Sequence, residues 1–149
     1  MATALHLIDD ISSPSGGLPS PRALVADLPA NARLLLWSLR LLAQNAADRD
    51  VLRQELWLCC GPADIETTLG ALEDLAALLA RDGRRPFLLK PADARRMTAV
   101  EESLMALFAA ATREDHARQG AHARWLARPL AQSELILRMR RLARGFSGL

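Results

Sequence analysis

The sequence has few of the residues that catalytic and metal sites need. It contains three histidines and two cysteines, and the cysteines are neighbours at positions 59 and 60. His116 and His122 are about 240° apart around a helix, so they do not form the i, i+4 pair that ligates a metal. The chain also has no G-x-S-x-G, no H-E-x-x-H and no glycine-rich phosphate loop. We therefore predict that the protein is not an enzyme and has no catalytic residue, cofactor or metal site.

Long apolar runs and an export signal are missing as well. No uncharged apolar run reaches the roughly 18 residues of a membrane span. The first ten residues lack a basic region and contain two acids. The adjacent Cys59 and Cys60 would form a strained disulfide, because their Cα atoms lie only about 3.8 Å apart. We expect buried thiols in a reducing cytoplasm, and no contact with a membrane.

Lysine is nearly absent, and the remaining charge is unevenly distributed. Residues 1–74 have five arginines against ten acids, a net charge of −5, whereas residues 75–149 have fourteen basic residues against seven acids, a net charge of +7. Such a division is typical of nucleic-acid contact, of self-association or of a solvated basic face. The candidate basic patch consists of Arg84, Arg85, Arg95, Arg96, Arg138 and Arg141.

The most apolar helical run covers residues 31–47. Leucines occupy most of its circumference, and only Arg33, Arg40 and Gln44 form a narrow polar stripe. A helix with so little polar surface belongs in the centre of a bundle or at a subunit interface.

Five further helices are predicted, at residues 49–60, 63–81, 98–111, 115–126 and 133–146. The fourth of the six begins with a T-x-x-E capping box, Thr98–Glu101, which we expect to face solvent on its Glu101 side. In the helix at 115–126 the expected inward face is thin, with Ala117, Ala121 and Trp125. Gly70 is expected to permit the close approach of a neighbouring helix.

Two segments interrupt the helical pattern. Residues 1–29 contain a proline- and glycine-rich stretch and are predicted to be an arm or linker. In residues 83–97, Pro86 and Pro91 flank an extended apolar peg, Phe87–Leu89, which we expect to be buried. We predict an all-α fold, with residues 30–149 forming one irregular or orthogonal bundle of five to seven helices.

The tryptophans suggest a surface for association. Trp37 lies beside the stripe of Arg33 and Arg40, and Trp57 lies beside Arg53 on the polar side of its helix. Tryptophan and arginine are enriched at interface hot spots, so these five residues are the candidate interface. The alternative is that both tryptophans complete the core.

Four stretches resemble a family of small, all-helical, uncharacterised proteins of GC-rich bacteria, many of them alphaproteobacterial. The stretches are RLLLWSLRLLA (33–43), RRPFLL (84–89), MTAVEESLMALFAAA (97–111) and RWLAR (124–128). The resemblance implies an all-helical fold and a bacterial, cytoplasmic origin. It implies no activity and no site residues.

The predicted function is that of a non-enzymatic interaction or adaptor protein, which forms a homodimer through the first helix and its tryptophans. One alternative is a regulator that contacts nucleic acid through the basic C-terminal half. Another is a bundle that binds a small apolar ligand in a gap beneath the peg.

Overall fold

Six α-helices make up most of the described chain. The computed structural model describes residues 23–44, 49–60 and 64–146, without the side chains of residues 59 and 60. The helices are α1 (Ala30–Gln44), α2 (Arg49–Cys60), α3 (Ile65–Asp82), α4 (Ala99–Thr112), α5 (His116–Leu126) and α6 (Gln132–Gly145). Two 3-10 turns lie at Val25–Asp27 and Pro129–Ala131, and two isolated bridges are the only β-type pairing in this part of the chain. The predicted all-α class and the number of helices are confirmed.

α1 packs its apolar side against three other helices. It contacts α2, α3 and α4, and its Leu35, Leu36 and Leu39 have no exposed surface. These leucines are covered within one copy of the chain, and a subunit interface formed by α1 stays a prediction. Burial of each large apolar side chain contributes roughly 1.5–3 kcal/mol to stability.

The rest of the core lies between α3, α4, α5 and α6. Apolar residues at helical spacing are buried on both α3 and α6, including Leu69, Leu72 and Leu79 on α3 and Leu135, Met139 and Leu142 on α6. Phe108 of α4 meets Phe146, which follows α6, edge to face with ring centroids 6.4 Å apart. These contacts bring the C-terminal helix against the middle of the chain.

α5 departs from its predicted orientation. Ala117 and Ala121 are exposed, so the expected inward face was wrong for these two, whereas Trp125 is half-buried against the core. The buried residues of α5 are Gln119, Ala123 and Leu126. A glutamine is tolerated inside because its Oε1 accepts a hydrogen bond from Nε of Arg140 at 2.9 Å. A polar residue that finds its partner in the fold cannot be recognised from apolar periodicity.

Glycine is needed where α3 ends. A Cβ on Gly83 would lie 2.4 Å from the carbonyl oxygen of Leu79, and Gly83 pairs in an antiparallel bridge with Ala127. By contrast, a Cβ on Gly70 would have nothing within 4 Å. The expected close approach of a helix at Gly70 is therefore wrong.

The peg is extended but only partly covered. Residues 86–90 are not helical, and Phe87 and Leu89 are half-buried against the core. Leu88 between them is 67% exposed, because neighbouring side chains in an extended segment point in opposite directions. The expectation of a buried peg is met in part by Phe87 and Leu89, which are half-buried, and is wrong for Leu88.

Part of the predicted arm is attached to the bundle. The N–H of Val25 donates to the carbonyl of Arg95 at 2.8 Å, and the N–H of Met97 donates to the carbonyl of Ala23 at 3.1 Å. Residues 23–29 thus run beside the segment that precedes α4. The rest of the arm, residues 1–22, lies outside the described residues, and the boundary at residue 30 stays a prediction.

Candidate interaction surface

Arg40, one of the five candidate interface residues, lies in the interior. It is 1% exposed, and its partner Glu101 has no exposed surface. Nε and Nη2 of Arg40 donate to the two carboxylate oxygens of Glu101 at 2.8 and 3.0 Å. Arg40 is therefore no surface contact, and the expectation that Glu101 faces solvent was also wrong.

This buried ion pair fastens the peg segment to two helices. Arg40 also donates to the carbonyls of Ala94 and Arg96, at 2.8 and 3.0 Å. Glu101 accepts from the backbone N–H of Thr98 at 2.8 Å and from that of Lys90 at 3.1 Å. Four donors fill the hydrogen-bonding capacity of the carboxylate, so the pair is a structural clamp with no lone pair left for a substrate.

The clamp contains the predicted capping box. The Thr98 side chain accepts from the N–H of Glu101 while the Glu101 carboxylate accepts from the N–H of Thr98. The prediction of a capping box, with these two reciprocal hydrogen bonds, is therefore confirmed. The long-range partner, Arg40, is 61 residues away and left no signal in the sequence.

The other two candidates on α1 have different surroundings. Trp37 is half-buried and packs against the core, which favours the alternative that it completes the interior. Arg33 is exposed one turn before it. The structure thus leaves α1 without a broad uncovered apolar face.

An uncovered apolar face is found on α2. The exposed fractions are 49% for Val51, 52% for Trp57 and 71% for Leu58. Leu52 and Leu56, on the opposite side of α2, are fully buried and attach it to the bundle. Trp57 therefore lies at the surface, whereas its neighbours Val51 and Leu58 were not among the candidates. The exposure of Val51 and Leu58 could have been predicted from the sequence, because both residues project away from the Leu52–Leu56 side of the helix.

Arg53 is held next to Trp57. Its Nε donates to Oε1 of Glu66 on α3 at 2.9 Å, and its Nη1 donates to Oδ1 of Asp50 at 3.4 Å. Arg53, Gln54, Trp57 and Leu58 line a shallow depression of about 410 Å³. The two α2 candidates are thus brought together at one surface.

The six arginines of the basic patch have separate environments. Nε of Arg84 donates to the carbonyl of Arg124, and the guanidinium of Arg85 lies 3.8 Å from the ring centroid of Trp125. This first pair is attached to the end of α5.

The other two pairs of arginines contact other parts of the bundle. The backbone of Arg95 and Arg96 bonds to Val25 and Arg40, as described above. Arg138 donates to Asp74 on α3 at 3.1 Å and to Glu134 on its own helix. Arg141 lines a depression between α3 and α6. Each pair has its own surroundings, and nucleic-acid contact through this set stays a prediction.

Two arrangements in the described residues bear on metal and catalytic chemistry. Within the described ranges, no three His, Cys, Asp or Glu side chains are grouped to hold a metal ion. Oγ of Ser103 lies 3.4 Å from Nδ1 of His122, longer than the 2.6–3.2 Å typical of a nucleophile and its base. The thiols at positions 59 and 60 lie outside the described side chains. The absence of an enzyme activity stays a prediction.

None of the described helices has the length and hydropathy needed to cross a bilayer. No family model matches the chain, and the chain matches no curated protein and no solved structure. The resemblance to the alphaproteobacterial family therefore stays a prediction.

Proposed function

We propose that the protein is a non-enzymatic interaction module that self-associates through the outward face of α2. The observation that supports this proposal is the exposure of Val51, Trp57 and Leu58 on one helix. Isolated apolar side chains are common on protein surfaces, but an adjacent group that includes a tryptophan marks an association site. The proposed contact is on the second helix rather than on the first. The proposed setting is the cytoplasm of a bacterium, on the sequence evidence alone.

A second copy of the chain fits this face because the face is self-complementary. Gln54 lies in the middle of the exposed arc of α2. If two copies of α2 pack antiparallel with a two-fold axis at Gln54, Gln54 faces Gln54 of the second copy and Val51 lies level with Trp57 of the second copy. Arg53 and Glu55 project about 160° apart around the helix, so they lie at opposite edges of this contact. One two-fold arrangement therefore brings the apolar side chains of the two copies together.

The dimer is expected to be weak and reversible. α2 has 12 residues and is about 18 Å long, so a contact made through this helix alone buries an area at the low end for protein complexes. Arg53 is already oriented by Glu66 and Asp50, which lowers the side-chain entropy lost on association. An equilibrium between monomer and dimer at micromolar concentrations is the expected behaviour.

Replacement of Leu58 by serine tests this proposal. Sedimentation velocity from low to several hundred micromolar should show dimers for the wild type and only monomers for Leu58→Ser. The matched control is Leu130→Ser, since Leu130 is fully exposed but lies in the turn before α6. The control should dimerise like the wild type. A wild-type chain that stays monomeric at every concentration, or a Leu58→Ser variant that still dimerises, would contradict the proposal.

A further inference from the structure

A second apolar surface, independent of α2, runs along α4. A groove of about 520 Å³ extends from Glu102 near the start of this helix to Arg113 just after its end. These two residues are 11 positions apart, which corresponds to about 16 Å along a helix. The opposite wall comes from residues 23–32, which include Ala23, Leu28 and Ala32. The groove is thus a channel formed by the N-terminal segment and α4.

The base of the groove is apolar. Met97, Met105 and Phe108 are 2–3% exposed, so they form a buried base, while Ala106 and Ala109 are half-buried with only a methyl group each. Small side chains leave the space open, and methionine adapts to flexible ligands. A concave apolar site of this volume has the size of a small-molecule site.

The lining of the groove favours one kind of occupant. The lining is mostly apolar along about 16 Å of α4, and a hydrocarbon chain of that length can lie against it. The groove beneath the peg that the sequence suggested is not the one found, because residues 86–90 do not line it.

The two ends of the groove carry side chains of opposite charge. Arg113 and the Asn31 amide lie along its lining with Thr112, and Glu102 lies at the opposite end of the α4 side. The Thr112 hydroxyl donates to the carbonyl of Phe108 at 2.9 Å, so its proton is already used. An anionic head group is attracted by the Arg113 guanidinium and repelled by the Glu102 carboxylate.

We propose that this groove binds one straight-chain amphiphile with a single anionic head group. The acyl chain would lie along α4 against Met105, Ala106 and Ala109, and the head group would bind Arg113. The affinity should rise about two- to fourfold for each added methylene until the chain fills the groove. This proposal does not depend on the self-association of α2, because no residue of that face lines the groove.

Calorimetric titration with laurate, octanoate and dodecylammonium tests the proposal on the full chain. Laurate should bind at a one-to-one ratio, octanoate more weakly, and dodecylammonium at least tenfold more weakly than laurate. Arg113→Gln should weaken laurate binding severalfold, whereas the matched exposed change Arg128→Gln should leave it unchanged. Ala109→Leu should abolish binding by filling the groove, with Ala80→Leu on the exposed side of α3 as its control.

Three results would overturn the proposal. One is no laurate binding to the wild type. Another is equal binding of laurate and dodecylammonium. The third is laurate binding that appears only when Leu7 and Ile8 are both replaced by serine, since the chain's own N-terminal residues would then be the occupant. Thermal unfolding followed by circular dichroism shows that each variant is folded before its titration is interpreted.

Discussion

Arg40 and Arg53 make the same type of ion pair in opposite environments. Each lies on a helix and pairs with a glutamate through Nε, at 2.8 Å for Arg40 and 2.9 Å for Arg53. The first pair is buried, with side chains 1% and 0% exposed, whereas the side chains of the second are 42% and 73% exposed. The buried pair fastens helices and the peg segment together, while the exposed pair lies beside an uncovered tryptophan. The pairing of charges therefore does not reveal whether a charged residue is structural or part of a contact surface.

The physical difference between the two pairs is the cost of an unpaired charge. Removing one partner of a buried pair leaves a charge without solvent, whereas water replaces the partner of an exposed charge. Of the residues in these two pairs, substitution of Arg40 or Glu101 should therefore have the large effect on stability. Substitution of Arg53 should instead affect association. The predictions that follow test this division.

The largest effect is expected for Glu101→Ala. The change leaves Arg40 buried without a carboxylate and removes the cap of α4, so it should lower the free energy of unfolding by about 3–5 kcal/mol. Urea denaturation followed by circular dichroism measures it. If Glu101→Ala is too unstable to fold, the double variant Arg40→Met/Glu101→Leu keeps the test available, because it removes both charges and should be more stable than either single change.

The matched control for Glu101→Ala is Glu66→Ala, which removes the partner of Arg53. Its cost should be below about 1 kcal/mol, as for other exposed pairs. If Glu101→Ala and Glu66→Ala lowered the free energy of unfolding by the same amount, burial would not distinguish the two ion pairs.

Gly83 and Gly70 provide a second comparison of a confined with an open position, this time between two uncharged residues. Gly83→Ala should cost about 1–3 kcal/mol, because the new Cβ would meet the Leu79 carbonyl at 2.4 Å. Gly70→Ala should instead stabilise α3 by about 0.5–1 kcal/mol, since the space is open and alanine favours a helix. Urea midpoints of both variants measure the difference. The same sign of change at both positions would argue against the described packing.

The smallest expected effect is a pH dependence from His122. Burial, and then the charge of Arg118, lower the pKa of His122 below its ordinary value of about 6.5. The unfolded chain therefore binds this proton more readily, so stability is fully present above about pH 6.5 and falls as the pH decreases through the folded-state pKa. Unfolding midpoints at pH 5 and pH 7.5 should differ less in His122→Gln than in the wild type. An unchanged difference would contradict the assignment to His122.

The helices could be predicted from the sequence because their signals are local. Apolar spacing of three and four residues, Gly83 after α3 and the capping box at Thr98 each involve neighbours along the chain. The buried face of α5 could not be predicted. Gln119 is inside because of Arg140, which lies 21 residues later and has no local signature.

The candidate surface was only partly predictable for the same reason. Trp57 and Arg53 were identified from residue type and helical position, but Arg40 was assigned to the same surface because a helical wheel shows it as polar. Its burial depends on Glu101, on another helix. Residue type and periodicity place a charge on one side of a helix, and only the fold determines what covers that side.

Introduction of charge at Gln54 tests the account most directly. In the proposed two-fold register Gln54 faces its own copy, so Gln54→Glu places two carboxylates together and Gln54→Lys places two ammonium groups together. Sedimentation velocity should show that each variant alone is monomeric and that an equimolar mixture of the two regains the dimer. A mixture that stays monomeric while the wild type dimerises, or single variants that dimerise like the wild type, would contradict self-association through this face.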